Sequence, residues 1–192
     1  MTALDVIRAE HRSLAAVLHT LQALARGARA GRFALDFPLL RLIVEYLDSF
    51  HQRYHHPKED RYLFAALRAR TSEGGDTLAA LEREHAEGDG RLVQLREVIG
   101  RTQARLLDVD ALAAEVDRYA DFHWRHMRTE EDQIMPLAAR TLSGEDWASI
   151  DAAFANHEDP LFGAAARERY RSLLAAIAEH APPPLGGGSS QI

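Results

Sequence analysis

Six histidines and two glutamates set out the chemistry this chain can do: His11, His51, His55, Glu59, His85, His123, His126 and Glu130. The order reads His11, His55-x-x-x-Glu59, His85, His126-x-x-x-Glu130, so the first half of the pattern recurs in the second. The additional histidines recur as well, His51 one turn before His55 and His123 one turn before His126. Residues four apart share a helix face and lie about 6 Å apart along its axis. Each glutamate can then reach between two metal ions while the histidine before it holds one. His11, His55, His85 and His126, with Glu59 and Glu130 bridging, make a ligand set for a pair of cations. Nitrogen and carboxylate donors without sulfur suit iron, manganese or zinc. Paired carboxylate sites inside helical bundles are most often di-iron, so two iron ions are the expectation, ahead of manganese or zinc.

Helices must position these groups. The first is expected from about Ala3 to Arg26, with Leu4, Ile7, His11, Leu14, Leu18 and Leu21 on one stripe. The second is expected from about Pro38 to Arg70, opened by Asp36 and carrying Val44, Leu47, His51, His55, Glu59, Tyr62 and Ala66. The third should be capped by Asp76 and reach about Leu107, with Leu78, Leu81, His85, Gly88, Leu92, Leu95 and Ile99 in register. The fourth follows "DVD" and carries Leu112, Val116, Tyr119, His123, His126, Glu130, Ile134 and Leu137. Short connections between four such helices imply an all-α, antiparallel up-down-up-down four-helix bundle with additional C-terminal helices. The bundle is expected over residues 1–142 and a helical extension over 143–181, where "SGEDWASIDAAFAN" and a helix opened at Asp159-Pro160 lie. Residues 182–192, "PPPLGGGSSQI" with the residue before the first proline excluded, form a flexible tail.

The polar stripe is what separates this bundle from an ordinary one. A seam is normally leucine, because burying a charge or an unpaired imidazole is costly. One seam histidine reads as a hydrogen-bonded core residue; the whole ordered set reads as a metal site. His19, His56, His157 and His180 lie off the four stripes or outside the bundle and receive no role. His51 and His123 are further ligands, groups that orient the ligands, or proton shuttles, and the orienting role is the expected one. Tyr54 and Tyr119 are either hydrogen-bond donors to a bound oxygen species or plain core.

Composition narrows the classes. Hydrophobic residues make up 46% of the 192, enough for one substantial core. A formal charge of −6 gives no electrostatic reason to expect nucleic acid or an anionic membrane as partner. The chain has no cysteine, which excludes disulfides and thiolate-held clusters within it. No apolar run approaches the roughly 20 residues that span a bilayer, and a soluble cytoplasmic protein is expected.

Two residues interrupt the pattern. Pro57 costs about 3 kcal/mol in an ideal helix interior. The apolar register nonetheless continues through Tyr62 and Ala66, so a kinked or bulged but continuous helix is expected, bent beside the ligands. Gly88 sits on the seam less than a turn from His85, where its missing side chain either admits an exogenous ligand or allows close helix packing.

The fragments "AEHRSL", "HHPKEDRYLF", "EREHAEG" and "HWRHMRTEEDQIMP", in this order on four expected helices, resemble the hemerythrin-like family of HHE cation-binding domains over about residues 3 to 140. The resemblance implies a non-haem di-iron centre, oxo- or hydroxo-bridged, that binds or senses oxygen, nitric oxide or peroxide. Its ligands would be His11, His55, Glu59, His85, His126 and Glu130. The alternative it implies is a di-iron enzyme of oxidative or nitrosative stress defence, turning over peroxide or nitric oxide or acting in iron–sulfur repair. Oxygen-carrying members look like they use a further histidine one turn away on the third helix, where this chain has Leu81 and Asp89. The site is in that respect similar to the symmetric version in repair and stress-response members.

Overall fold

The computed structural model describes residues 2–155 and 170–180. The first helix, Ala3–Arg29, begins with a reciprocal cap: the Thr2 hydroxyl accepts from the Asp5 amide, and the Asp5 carboxylate accepts from the Thr2 amide. The second begins at Phe37, with the Asp36 carboxylate accepting from the Leu39 amide and Pro38 in the first turn. It runs without a break to Arg70 but changes width on the way. An α-helix over Phe37–Tyr46 opens into π geometry at Leu47–His55, returns to α at His56–Lys58, widens again at Glu59–Phe64 and closes as α over Ala65–Arg70. Pro57, which has no N–H to give, lies in the short stretch between the two wide segments. The expected distortion therefore takes the form of π turns, and the helix continues through them.

The third helix, Gly75–Gln103, departs from expectation at both ends. Gly74, at φ +73°, is its N-cap, and a Cβ there would stand 2.8 Å from a Leu137 methyl. Asp76 lies inside the first turn, placed to favour the helix dipole rather than to cap it. At the far end the helix stops at Gln103, short of Leu107, because Arg105 turns left-handed at φ 59°. The fourth begins at Val109 beneath an Asp108 cap on the Ala111 amide, widens at Glu130–Ile134 and finishes as Met135–Thr141.

Among the described residues no strand occurs. The first helix packs on the fourth, the fourth on the third, the third on the second and the second on the first, closing an antiparallel four-helix bundle. Two shorter helices follow, Gly144–Ala155 and Arg171–His180, both packed against the first. Ser143 and Asp146 cap the former reciprocally. The expected helix start at Asp159-Pro160 and the tail from 182 lie outside the described residues, as does His157.

The apolar core is divided. One cluster joins Leu14, Leu18, Leu21, Leu40, Ile43, Leu47, Leu95, Ile99, Leu112 and Val116 with Leu173 and Ile177 of the last helix. The other joins Ile7, Leu63, Phe64, Leu67, Leu78, Leu81, Ile134 and Leu137 with Ile150 and Phe154 of the helix before it. Each C-terminal helix thus completes one end of the core. A band of buried histidines and carboxylates occupies the middle.

Candidate metal centre

Every one of the six ligands expected from spacing is buried in that middle band, between 0% and 7% exposed. The first helix brings His11, the second His55 and Glu59, the third His85, the fourth His126 and Glu130. The structure gathers their inner atoms closely. Glu130 stands with one oxygen 3.2 Å from His11 Nε2 and the other 3.4 Å from His126 Nε2 and 3.6 Å from His85 Nε2. Glu59 stands 3.9 Å from His11 Nε2, 3.4 Å from His55 Nε2 and 3.7 Å from His85 Nε2. Each carboxylate faces both the His11–His55 half and the His85–His126 half.

What aims the four rings is a second set of carboxylates that spacing did not disclose. His11 Nδ1 meets Glu131 at 2.9 Å, His55 Nδ1 meets Glu10 at 2.5 Å, His85 Nδ1 meets Asp60 at 2.8 Å, and His126 Nδ1 meets Glu84 at 2.8 Å. A carboxylate at Nδ1 takes the N–H there and leaves Nε2 facing inward, the arrangement by which proteins hold metal-binding histidines. The pairing is twofold symmetric. Glu10 and Glu84 each precede a ligand histidine on odd-numbered helices, while Asp60 and Glu131 each follow a ligand glutamate on even-numbered ones. The signal was present in the sequence as the repeated dipeptides Glu10-His11 and Glu84-His85, and the acid pairs at 59–60 and 130–131.

The inward atoms fit a metal pair. His11 Nε2, His55 Nε2, Glu59 Oε2 and both Glu130 carboxylate oxygens have no hydrogen-bond partner among the described residues, against the rule that buried polar groups are paired. His85 Nε2 and His126 Nε2 approach to 3.0 Å, about the separation of neighbouring nitrogens on one ion with bonds near 2.1 Å. Groups able to hold an ion form around His11, His55 and Glu59, and around Glu59, His85 and Glu130.

Without metal, protons balance the charge. Burial alone would lower His11, but the neighbouring Glu130 carboxylate and the hydrogen bond to Glu131 outweigh it and raise it to about 9. Burial likewise opposes His85, and Asp60 and Glu130 raise it to about 9. Burial and the neighbouring Glu130 and Glu10 hold the Glu59 carboxyl well above its ordinary range. Burial acts in the same sense on Glu130, but His126, His11 and His85 overcome it and keep that group ionised. His55 is lowered by burial, with Glu10 pulling the other way.

The remaining expectations meet mixed outcomes. His51 and His123 are fully buried, their rings 5.4 Å apart edge to face. They do not orient the ligands, since those Nδ1 positions are taken by Glu10, Asp60, Glu84 and Glu131. Tyr119 is buried with its ring 4.6 Å from His123, and its hydroxyl has no hydrogen-bond partner among the described residues. Tyr54 is 37% exposed and lies under the Lys58 ammonium at 4.3 Å, outside the cavity. The space at Gly88 is filled by Gln52, whose amide would stand 2.6 Å from an added Cβ, so the glycine serves close packing and not an exogenous ligand. His56 is the residue that sequence reasoning passed over. It is 3% exposed, stacked on His85 at 4.1 Å, with Nδ1 3.3 Å from the Gln52 carbonyl oxygen.

A helical bundle that buries four carboxylate-steadied imidazoles around two facing glutamates defines a class: a cation-binding bundle. The profile of the Hemerythrin HHE cation binding domain matches residues 2–138, and the chain belongs to that family. No curated protein and no solved structure is significantly similar to it. Among the described residues no helix is long and apolar enough to cross a membrane.

Proposed function

We propose that the chain is a non-haem di-iron protein that captures a small oxidising or diatomic ligand, of the class of oxygen, nitric oxide or peroxide, inside the bundle. The observation that supports this reading is the cage itself: four imidazoles presenting Nε2 to Glu59 and Glu130, with all four Nδ1 positions held by acids. His11 and His55 would hold one ion, His85 and His126 the other, and the two glutamates would span them. Hard oxygen and borderline nitrogen donors without sulfur favour iron over softer metals. Two iron ions in such a cage would supply electrons and open positions for a small ligand.

The protein's own groups do the rest. The two apolar clusters on either side exclude bulk water from the cavity. Tyr119, kept protonated by burial, is a hydroxyl donor in the same buried layer. Glu10, Asp60, Glu84 and Glu131 hold the four rings in place.

Anaerobic loading with ferrous iron, followed by metal analysis and optical spectra after addition of oxygen, nitric oxide or peroxide, tests this. The expected result is two irons per chain, one equivalent of ligand bound, and loss of both in His55→Ala. Repeated turnover of peroxide or nitric oxide would move the protein to the enzymatic alternative. Failure to bind iron while binding zinc tightly would overturn the iron assignment.

A further inference from the structure

We propose that His51, His56 and His123 hold a third cation, beside the carboxylate-bridged pair, in an all-imidazole site of the kind that takes a borderline divalent transition metal such as zinc. One ring nitrogen of each of the three lies within 4.8 Å of the other two, and all three residues are buried. Both nitrogens of His51, both of His123 and Nε2 of His56 have no hydrogen-bond partner among the described residues. Five unpaired ring nitrogens in one pocket run against the near-universal pairing of buried polar groups, and a cation is what accepts donation from several imidazoles at once.

The local helix geometry serves this grouping. In an α-helix, residues five apart point about 140° away from each other. The wide stretch Leu47–His55 bonds at i→i+5 and brings His51 beneath His56, their ring centres 4.3 Å apart. His123 enters from the fourth helix, 5.4 Å from His51 and 6.4 Å from His56 by ring centre. Gln52 accepts from His56 Nδ1–H and so leaves Nε2 as the free donor atom. The space for that amide exists because residue 88 is glycine. The site differs chemically from the neighbouring cage: it holds three nitrogens and no carboxylate, the donor set that suits zinc or copper and leaves a fourth position open.

His56 is the residue on which the assignment turns. A nitrogen of it also lies within 4.8 Å of nitrogens of His85 and His126. Those two already face Glu130, so His56 is the donor free to complete the His51–His123 pair.

The test is zinc loading of the full chain under metal-buffered conditions, with zinc per chain measured by mass spectrometry and ion positions by anomalous diffraction. Three ions are expected, one of them enclosed by His51, His56 and His123. His123→Asn should fall to two, with both remaining ions in the carboxylate cage. Circular dichroism matching the parent checks its fold, and diffraction from the parent protein decides the question should that variant fail to fold. Two ions in the cage and none at the trio, or His56 ligating the His85–His126 ion with His51 and His123 bare, would overturn the proposal and leave the proposed function standing. An ion at the trio alone would do the reverse. No bound ion anywhere would overturn both.

Discussion

The acids behind the histidines offer the sharpest quantitative test, because they differ in burial while making the same contact. Glu10 is only 4% exposed where it meets His55, whereas Asp60 and Glu84 are 36% exposed and Glu131 is 43% exposed. Removing an acid that orients a metal-binding imidazole typically costs 10–100-fold in metal affinity, about 1.4–2.7 kcal/mol. Water can take the place of the three exposed acids, and an exposed pair contributes less than about 1 kcal/mol. No water reaches Glu10 without opening the core, and its loss leaves the His55 N–H buried and unpaired, a further cost of about 1–3 kcal/mol to the metal-free fold. The predicted order is therefore clear. Glu10→Ala should weaken ferrous iron binding by about 10–100-fold, and Glu131→Ala by no more than about fivefold. Glu10→Gln, which keeps an acceptor oxygen, should fall between them. Anaerobic competition against a chelator of known affinity measures all three, with circular dichroism as the control for folding. Equal losses in Glu10→Ala and Glu131→Ala would refute the argument that burial of the partner decides how firmly the ring is held.

Other consequences follow from the same geometry. Metal must displace protons from His11 and His85, both raised to about 9, and from Glu59, so iron loading near neutral pH should release more than one proton per chain and tighten as pH rises toward about 9. An unbuffered titration with a pH indicator reads this, and pH-independent loading would contradict it. In the metal-free protein, His51, His56 and His123 titrate below their unfolded value of about 6.5. The unfolded chain then takes up protons that the folded one refuses, and stability should fall by about 1.4 kcal/mol per pH unit for each below that point. His11 and His85 act at the other end: their stabilisation is complete below about 6.5 and is lost as pH rises through about 9. Urea denaturation of metal-free protein across this range should thus show a maximum near neutrality, and a flat profile would count against both assignments. Phe154→Ala should cost about 3–5 kcal/mol if the helix Gly144–Ala155 is part of the core, read as a shift in thermal unfolding. Gly88→Ala should gain none of the roughly 1 kcal/mol of helix propensity, since its methyl group would displace Gln52 from His56.

The bundle was legible because three-and-four spacing of leucines is a strong signal over helices this long, and Asp36-x-Pro38 and Asp108 are readable starts. Gly74 was not, since a left-handed N-cap leaves no side-chain signature beyond the glycine itself. The positions of His11, His55, Glu59, His85, His126 and Glu130 followed from the same periodicity, and the structure places all six together. His56 escaped because that periodicity is an α-helical rule. Adjacent residues on an α-helix point about 100° apart, so His55 and His56 should not both face inward. The wide turns on either side of Pro57 change the rule locally, and the five-residue step from His51 to His56 was the trace they left. Tyr54, which the sequence left open as a donor or as core, is 37% exposed. Glu10, Asp60, Glu84 and Glu131 were hidden in plain view, each adjacent in sequence to a residue already chosen.

The width of the second helix also makes the number of residues between Tyr46 and His56 matter as much as their identity. Deleting one residue ahead of His51, within 47–50, would let the chain relax to ordinary winding, in which residues five apart point about 140° away from each other. His55 and Glu59 would keep their mutual spacing and His51 its place on their face, but the His56 imidazole would rotate out of the lining it shares with His51. A single-codon loss would therefore leave His55 and Glu59 facing each other while changing the neighbourhood that borders them.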